Sequence, residues 1–138
     1  MWILKGINTN AHGELVARST VRARCCELLA GSMRAADNAS EAFMLGMCSL
    51  LDAILDRPMT SVVAELPLDE VTKQALCGDA NPMRDILDCV IAYERARWDE
   101  CDAIAAKAKV NPSVLPGAFA EALRWFQEIA SPTVNALA

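Results

Sequence analysis

The sequence predicts an all-α fold, a bundle of about seven or eight helices. Three observations predict it. Alanine and leucine, both strong helix formers, supply 39 of the 138 residues, 24 Ala and 15 Leu. No stretch alternates Val, Ile and aromatics with polar residues as a strand would. Helix start and stop signals recur instead, among them two Asn-Pro pairs, at Asn81-Pro82 and Asn111-Pro112.

The elements follow in order. Trp2-Ile3-Leu4 reads as the end of a first helix, stopped near Gly6 or Asn10. A second runs from about Glu14 to Ala30, with Gly31 past its end. A third starts at Asn38 or Ser40, where Asn38 and Glu41 have capping-box spacing, and ends before Pro58. Thr60 is placed to cap a short fourth helix through Leu66, stopped by Pro67. Asp69 opens a fifth that closes at Cys77-Gly78. Asn81, with Pro82 at the first helical position, opens a sixth to about Arg97. Asp99 starts a seventh, to about Lys109, and the acidic run Asp99, Glu100 and Asp102 suits its positive N-terminal end. The segment from Tyr93 to Ala106 thereby reads as a packed helical hairpin. Asn111-Pro112 opens an eighth to about Ala130, and residues 131–138 form a frayed tail. No linker or boundary divides the chain, which reads as one domain.

Periodicity separates outer helices from inner ones. In the sixth, Met83, Ile86, Leu87, Val90 and Ile91 make a single apolar stripe. In the eighth, Leu115, Ala118, Phe119, Ala122, Phe126 and Ile129 do the same. The third is apolar nearly all round, from Phe43 through Leu55, with only Gly46, Ser49, Asp52 and Ala53 in a small or polar sector. Such a helix is expected at the centre of the fold, with Met44 and Met47 as core filler.

Charge and composition exclude several functions. The net charge is −5 and the isoelectric point about 4.8, a poor match for nucleic-acid phosphates. Arg18, Arg22 and Arg24 are the exception, a local cluster that reads as surface charges or ion-pair partners. The nearly apolar stretch from Ala42 to Leu55 is too short and too polar to span a bilayer. The first nine residues lack the features of a signal peptide. The expected location is the cytoplasm, away from membranes. The six cysteines form no C-x-x-C pair, and His12 is the only histidine, so no zinc site is expected. The cysteines read as small, reduced core residues. Nothing in the sequence brings His12 to a serine, so no triad is expected either.

Several collinear stretches carry a resemblance. They are Leu15 to Ala30 (LVARSTVRARCCELLA), Ala42 to Leu55 (AFMLGMCSLLDAIL), Glu65-Leu66-Pro67-Leu68, Ala92-Tyr93-Glu94-Arg95 and Glu121-Ala122-Leu123-Arg124-Trp125. In this order the chain resembles the HDOD domain, specifically the branch found behind EAL domains in bacterial cyclic-di-GMP signalling proteins. The resemblance runs from about Trp2 to Gln127. It implies an orthogonal helix bundle, a relative of the HD metal phosphohydrolases that has lost catalysis. In catalytic members a His-Asp doublet sits on the central helix. Laid on that pattern, Ser49 and Leu50 take the doublet's places. A hydroxyl is a poor substitute for imidazole and leucine cannot ligate a metal, so no metal, no cofactor and no hydrolase activity are expected. The resemblance also implies that the chain is the C-terminal part of such a domain, without its preceding helices. The mean hydropathy of +0.21 fits an uncovered apolar face.

Arg22 intrudes on the apolar stripe of the second helix, among Leu15, Ser19, Cys26 and Leu29. A cation there needs a partner. Asp52 is the expected one and Glu27 the fallback, in a polar network of Arg22, Arg24, Glu27 and Asp52. The expected function is a non-catalytic regulatory or protein-interaction module in bacterial signal transduction. Its partner would be an EAL-type or other signalling protein, or a second copy paired through Trp2 and Ile3. The alternative is a small-molecule or nucleotide sensor with a vestigial pocket lined by Arg22, Arg24, Ser49 and Asp52.

Overall fold

The structure, a computed structural model, describes residues 2–32 and 39–130, with side chains described from Gly13 onward. All the regular structure there is helical: α1 (Trp2–Ser32), α2 (Ala39–Cys48), α3 (Leu51–Leu55), α4 (Met59–Ala64), α5 (Glu70–Leu76), α6 (Pro82–Glu94), α7 (Trp98–Ala108) and α8 (Val114–Ala130). The all-α bundle is therefore as expected, but the eight helices are not the eight expected. Gly6 and Asn10 stop nothing, and the first two expected helices are one 31-residue helix. A single Gly or Asn costs a helix only about 1 kcal/mol or less, which a long helix absorbs.

The third expected helix is divided. Ser49 Oγ donates to the Gly46 carbonyl at 2.7 Å, competing with the ladder where α2 ends. The helix resumes as α3, where Ile54 N–H donates to Leu50 O, and closes on Asp56 in the left-handed region, φ 54°. The centre of the fold is also elsewhere than expected. In α3 no residue is buried, and Leu55 is exposed; in α2 Phe43, Met44 and Met47 are half-buried. The central helix is α1, which packs on α2, α6 and α8. It buries Ser19, Arg22, Ala23, Cys25, Cys26, Leu29 and Ala30. Its small side chains let neighbours close in from several sides. Apolar character all round permits burial but does not compel it.

Smaller boundaries moved for local reasons. Pro58, not Thr60, precedes α4, its carbonyl accepting from Ser61 and Val62 N–H. Asn81 caps α6 as expected, accepting from Arg84 N–H at 2.9 Å. That helix ends at Glu94, where Arg97 N–H reaches back to Ala92 O and Ala96 turns left-handed at φ 56°. Asn111 closes a turn on Ser113 instead of capping α8, which begins at Val114. Asn38 and the tail 131–138 lie outside the described residues, as do the side chains of Trp2, Ile3 and His12. Glu41 has found other work: its Oε1 accepts from Asp69 N–H at 3.0 Å and Thr72 Oγ1 at 3.2 Å, capping α5 from α2.

The core runs from Cys25, Leu29 and Leu45 through Ile86, Leu87 and Val90 to Cys101, Leu115 and Ala122. The expected hairpin is present as α6 packed on α7. All six cysteines are free thiols, five buried and Cys77 exposed. No described helix is long and apolar enough to cross a membrane.

Candidate functional site

The close crossing of α1 and α2 sets the site. A Cβ on Gly46 would stand 2.6 Å from Ala23 Cα and N and 2.7 Å from the Arg22 carbonyl carbon. Only glycine admits this approach. It brings the end of α2, one turn further on, beside the Arg22 side chain. There Arg22 Nη1 donates to Ser49 Oγ at 3.2 Å. From the other side, Glu94 at the end of α6 accepts from Arg22 Nε at 2.6 Å and from Nη2 at 3.1 Å. This two-pronged geometry is the strong form of the guanidinium–carboxylate pair. The Arg22 side chain is 5% exposed and that of Glu94 17%.

The sequence expectation of Asp52 as the partner is overturned, and so is the fallback. Asp52 is half-buried and its Oδ1 accepts from its own neighbour, Ala53 N–H. Glu27 pairs with Arg24, three residues before it. Arg24 Nη2 also reaches Glu121 at 3.4 Å, joining α1 to α8. The expected four-residue network thus comes apart: Arg24 keeps Glu27, Arg22 turns to Glu94 and Ser49 because residues 22 and 24 lie on different faces of α1, and Asp52 joins neither. Ser49 does meet Arg22; Leu50 lies half-buried in the turn before α3.

Glu94 was missed as the partner of Arg22. A signal was present: with about 100° per residue, Glu94 falls on the stripe of Leu87 and Val90. Both helices therefore carry one charge inside an apolar stripe, of opposite sign, and each answers the other's cost of burial.

A groove lies beside this pair and not where a sensor pocket was expected. It holds about 550 Å³ between α1, α6 and α8. None of Arg24, Ser49 and Asp52 lines it, nor does Arg22. Its apolar wall includes Val21, Tyr93, Phe119 and Leu123, and its charged residues are Arg18, Glu94 and Arg95. The Tyr93 and Phe119 rings stack with centroids 4.5 Å apart, tying α6 to α8. Among the described residues, no three His, Cys, Asp or Glu side chains gather where they could hold a metal ion.

Burial governs the thiols around this centre. It pushes Cys26 up to about 12 even though Arg22, one turn before, pulls the other way. Burial likewise raises Cys89 to about 12, helped by neighbouring Cys101, and raises Cys25 further. These are inert core thiols, not nucleophiles.

Two curated relatives are similar to the chain. The uncharacterised protein YuxH of Bacillus subtilis is 34% identical over 112 residues, covering 81% of this chain and 27% of that protein. The cyclic di-GMP phosphodiesterase CdgJ of Vibrio cholerae is 31% identical over 123 residues, covering 89% of this chain and 28% of that protein. The chain spans little more than a quarter of the length of either. No family profile and no solved structure matches it.

Proposed function

We propose that the chain is a non-catalytic, HDOD-like regulatory and protein-interaction module of bacterial cyclic-di-GMP signalling, acting in the cytoplasm. The likeness to CdgJ carries this reading. It takes in most of this chain and only a module-sized part of that larger protein. The residues at the kink of α2 and α3 support the non-catalytic part. Ser49 Oγ is bonded to both Arg22 and the Gly46 carbonyl, and Leu50 offers no donor atom. The charge set beside them is a guanidinium, which repels a divalent cation. Both Glu94 oxygens already hold that guanidinium. A centre built to activate a metal-bound water needs open anionic or imidazole ligands instead.

The test uses CdgJ as the phosphodiesterase and this chain added in trans, following cyclic-di-GMP hydrolysis. The chain alone with magnesium or manganese is expected to hydrolyse nothing. Added to CdgJ, it is expected to change the rate several-fold in a saturable way. A rate unchanged at every ratio would remove the regulatory reading. Metal-dependent hydrolysis by the purified chain, lost on Glu94→Gln, would remove the non-catalytic one.

A further inference from the structure

The groove between α1, α6 and α8 has a feature that the packing of the chain does not use. In a chain of net charge −5, arginines have carboxylates within easy reach. Arg22, Arg57, Arg84 and Arg97 each hold one and Arg24 holds two. Arg18, Arg95 and Arg124 hold none among the described residues, and the first two both line this groove. The same groove carries apolar surface that the fold leaves wet: Leu123 on its wall is 50% exposed. Two cations without a carboxylate, beside an apolar wall that ends in an exposed leucine, make a recognition pattern.

We propose that this groove docks an amphipathic helix of a partner protein, its apolar stripe on Val21, Phe119 and Leu123 and its flanking carboxylates on Arg18 and Arg95. The proposal rests on the reading of the chain as an interaction module and names where it binds and what it binds. Two other occupants fit less well. The groove is more open than enclosed, whereas small-molecule sites enclose most of their ligand. A second copy docked groove to groove across a two-fold axis would bring four arginines without carboxylates into one interface. A helix laid apolar side down satisfies both features at once.

The experiment uses three labelled peptides of about five helical turns, sharing one leucine stripe. The first carries Glu on both flanks, the second carries Lys there, and the third is a scramble of the first. Fluorescence anisotropy with the full chain is expected to show the Glu peptide binding at least tenfold tighter than the other two. The Arg18→Glu/Arg95→Glu variant should invert the order of the Glu and Lys peptides. Leu123→Asp should weaken both by tenfold or more, with circular dichroism confirming the fold. Arg18→Ala/Arg95→Ala serves should charge reversal disturb folding, and is expected to abolish the preference for Glu.

Equal affinity for all three peptides, or an order unmoved by the arginine variants, would overturn the proposal. So would a wild-type dimer that Leu123→Asp converts to a monomer by light scattering, or displacement of the Glu peptide by stoichiometric cyclic dinucleotide. The functional reading fails separately. If the groove variants still alter the CdgJ rate as the wild type does, the groove falls and the module stands. If the peptides bind as expected and the wild type leaves the rate unchanged, the reverse holds.

Discussion

Arg18, Arg22 and Cys26 follow one another at one-turn intervals along the same side of α1, and they meet three different fates. Arg18 is exposed and has no ion pair among the described residues. Arg22 is 4% exposed and clamped by Glu94 and Ser49. Cys26 is wholly buried. The residue type does not separate the two arginines; depth in the bundle does. Where α6 and the end of α2 close over α1, a cation must be matched or the fold suffers. One turn nearer the N-terminus, where α6 has ended and the groove opens, the same side chain is left to water.

The largest effect expected is on the buried pair. Arg22→Met leaves the Glu94 carboxylate half-enclosed without its cation. Breaking such a pair costs about 3–5 kcal/mol, while replacing both members by apolar residues of similar volume is close to neutral. Urea denaturation should therefore show a large loss for Arg22→Met and recovery of most of it in Arg22→Met/Glu94→Leu. A double variant as unstable as the single would mean that the guanidinium's packing, and not its charge, is what α6 needs.

Next comes the crossing that brings Ser49 to Arg22. Gly46→Ala drives a methyl into the α1 backbone at Ala23, which must move. Overpacking of this kind costs about 1–3 kcal/mol. It should also lengthen the contact from Arg22 to Ser49 while sparing Glu94, which arrives from another helix. A thermal melt unchanged in Gly46→Ala would show that the two helices do not cross so closely in solution.

These two sites differ in how far the sequence revealed them. The sixth helix was legible because every local signal agreed: Asn81 as cap, Pro82 at the first position, one clean apolar stripe. The α2–α3 segment is harder to read, because apolar residues on all sides say what can be buried and not what is. Its division at Ser49 depends on one hydroxyl choosing a carbonyl, which no periodicity reports. Gly6 and Asn10 looked like stops because propensity is local, while the length of α1 is a property of its packing. The resemblance drew attention to Ser49, and the stripe argument drew attention to Arg22. Neither could name Glu94, 72 residues away in sequence, because pairing across the bundle is settled by how the helices meet. Asp52 is the charge on the segment nearest in sequence, and α3's exposure defeats pairing by nearness.

The buried end of the stripe has its own test, in alkali. The Cys26 and Cys89 thiols are raised from an ordinary 9.0 to about 12 by burial. The folded chain thus keeps protons that the unfolded chain releases above pH 9. Stability is whole below pH 9 and falls as the pH rises from 9 towards 12, each thiol contributing at most about 1.4 kcal/mol per pH unit. Cys26→Ala and Cys89→Ala should each flatten the decline between pH 9 and 10.5, measured by urea denaturation at a series of pH values. A slope identical in the wild type and both variants would mean that the thiols are already accessible to water. Cys77, which is exposed, should be the one thiol that reacts promptly with a disulfide reagent in the native protein at pH 8.

The smallest effect is the one that makes the comparison sharpest. Arg18→Met is the same substitution as Arg22→Met, on the same side of the same helix, one turn away. Arg18 has no carboxylate to abandon and no cavity to leave, and surface changes of this sort stay within about 0.5 kcal/mol. Methionine is at least as good a helix former as the middle of the scale, so propensity adds nothing large. The urea midpoint of Arg18→Met should therefore match the wild type, while that of Arg22→Met falls far below it. A loss above about 1 kcal/mol at Arg18 would mean that this arginine does hold a carboxylate in the folded chain, and is not idle. An unchanged midpoint, joined to loss of the preference for the acidic peptide, would separate the two arginines by role: one holds the bundle together, and the other faces what the bundle binds.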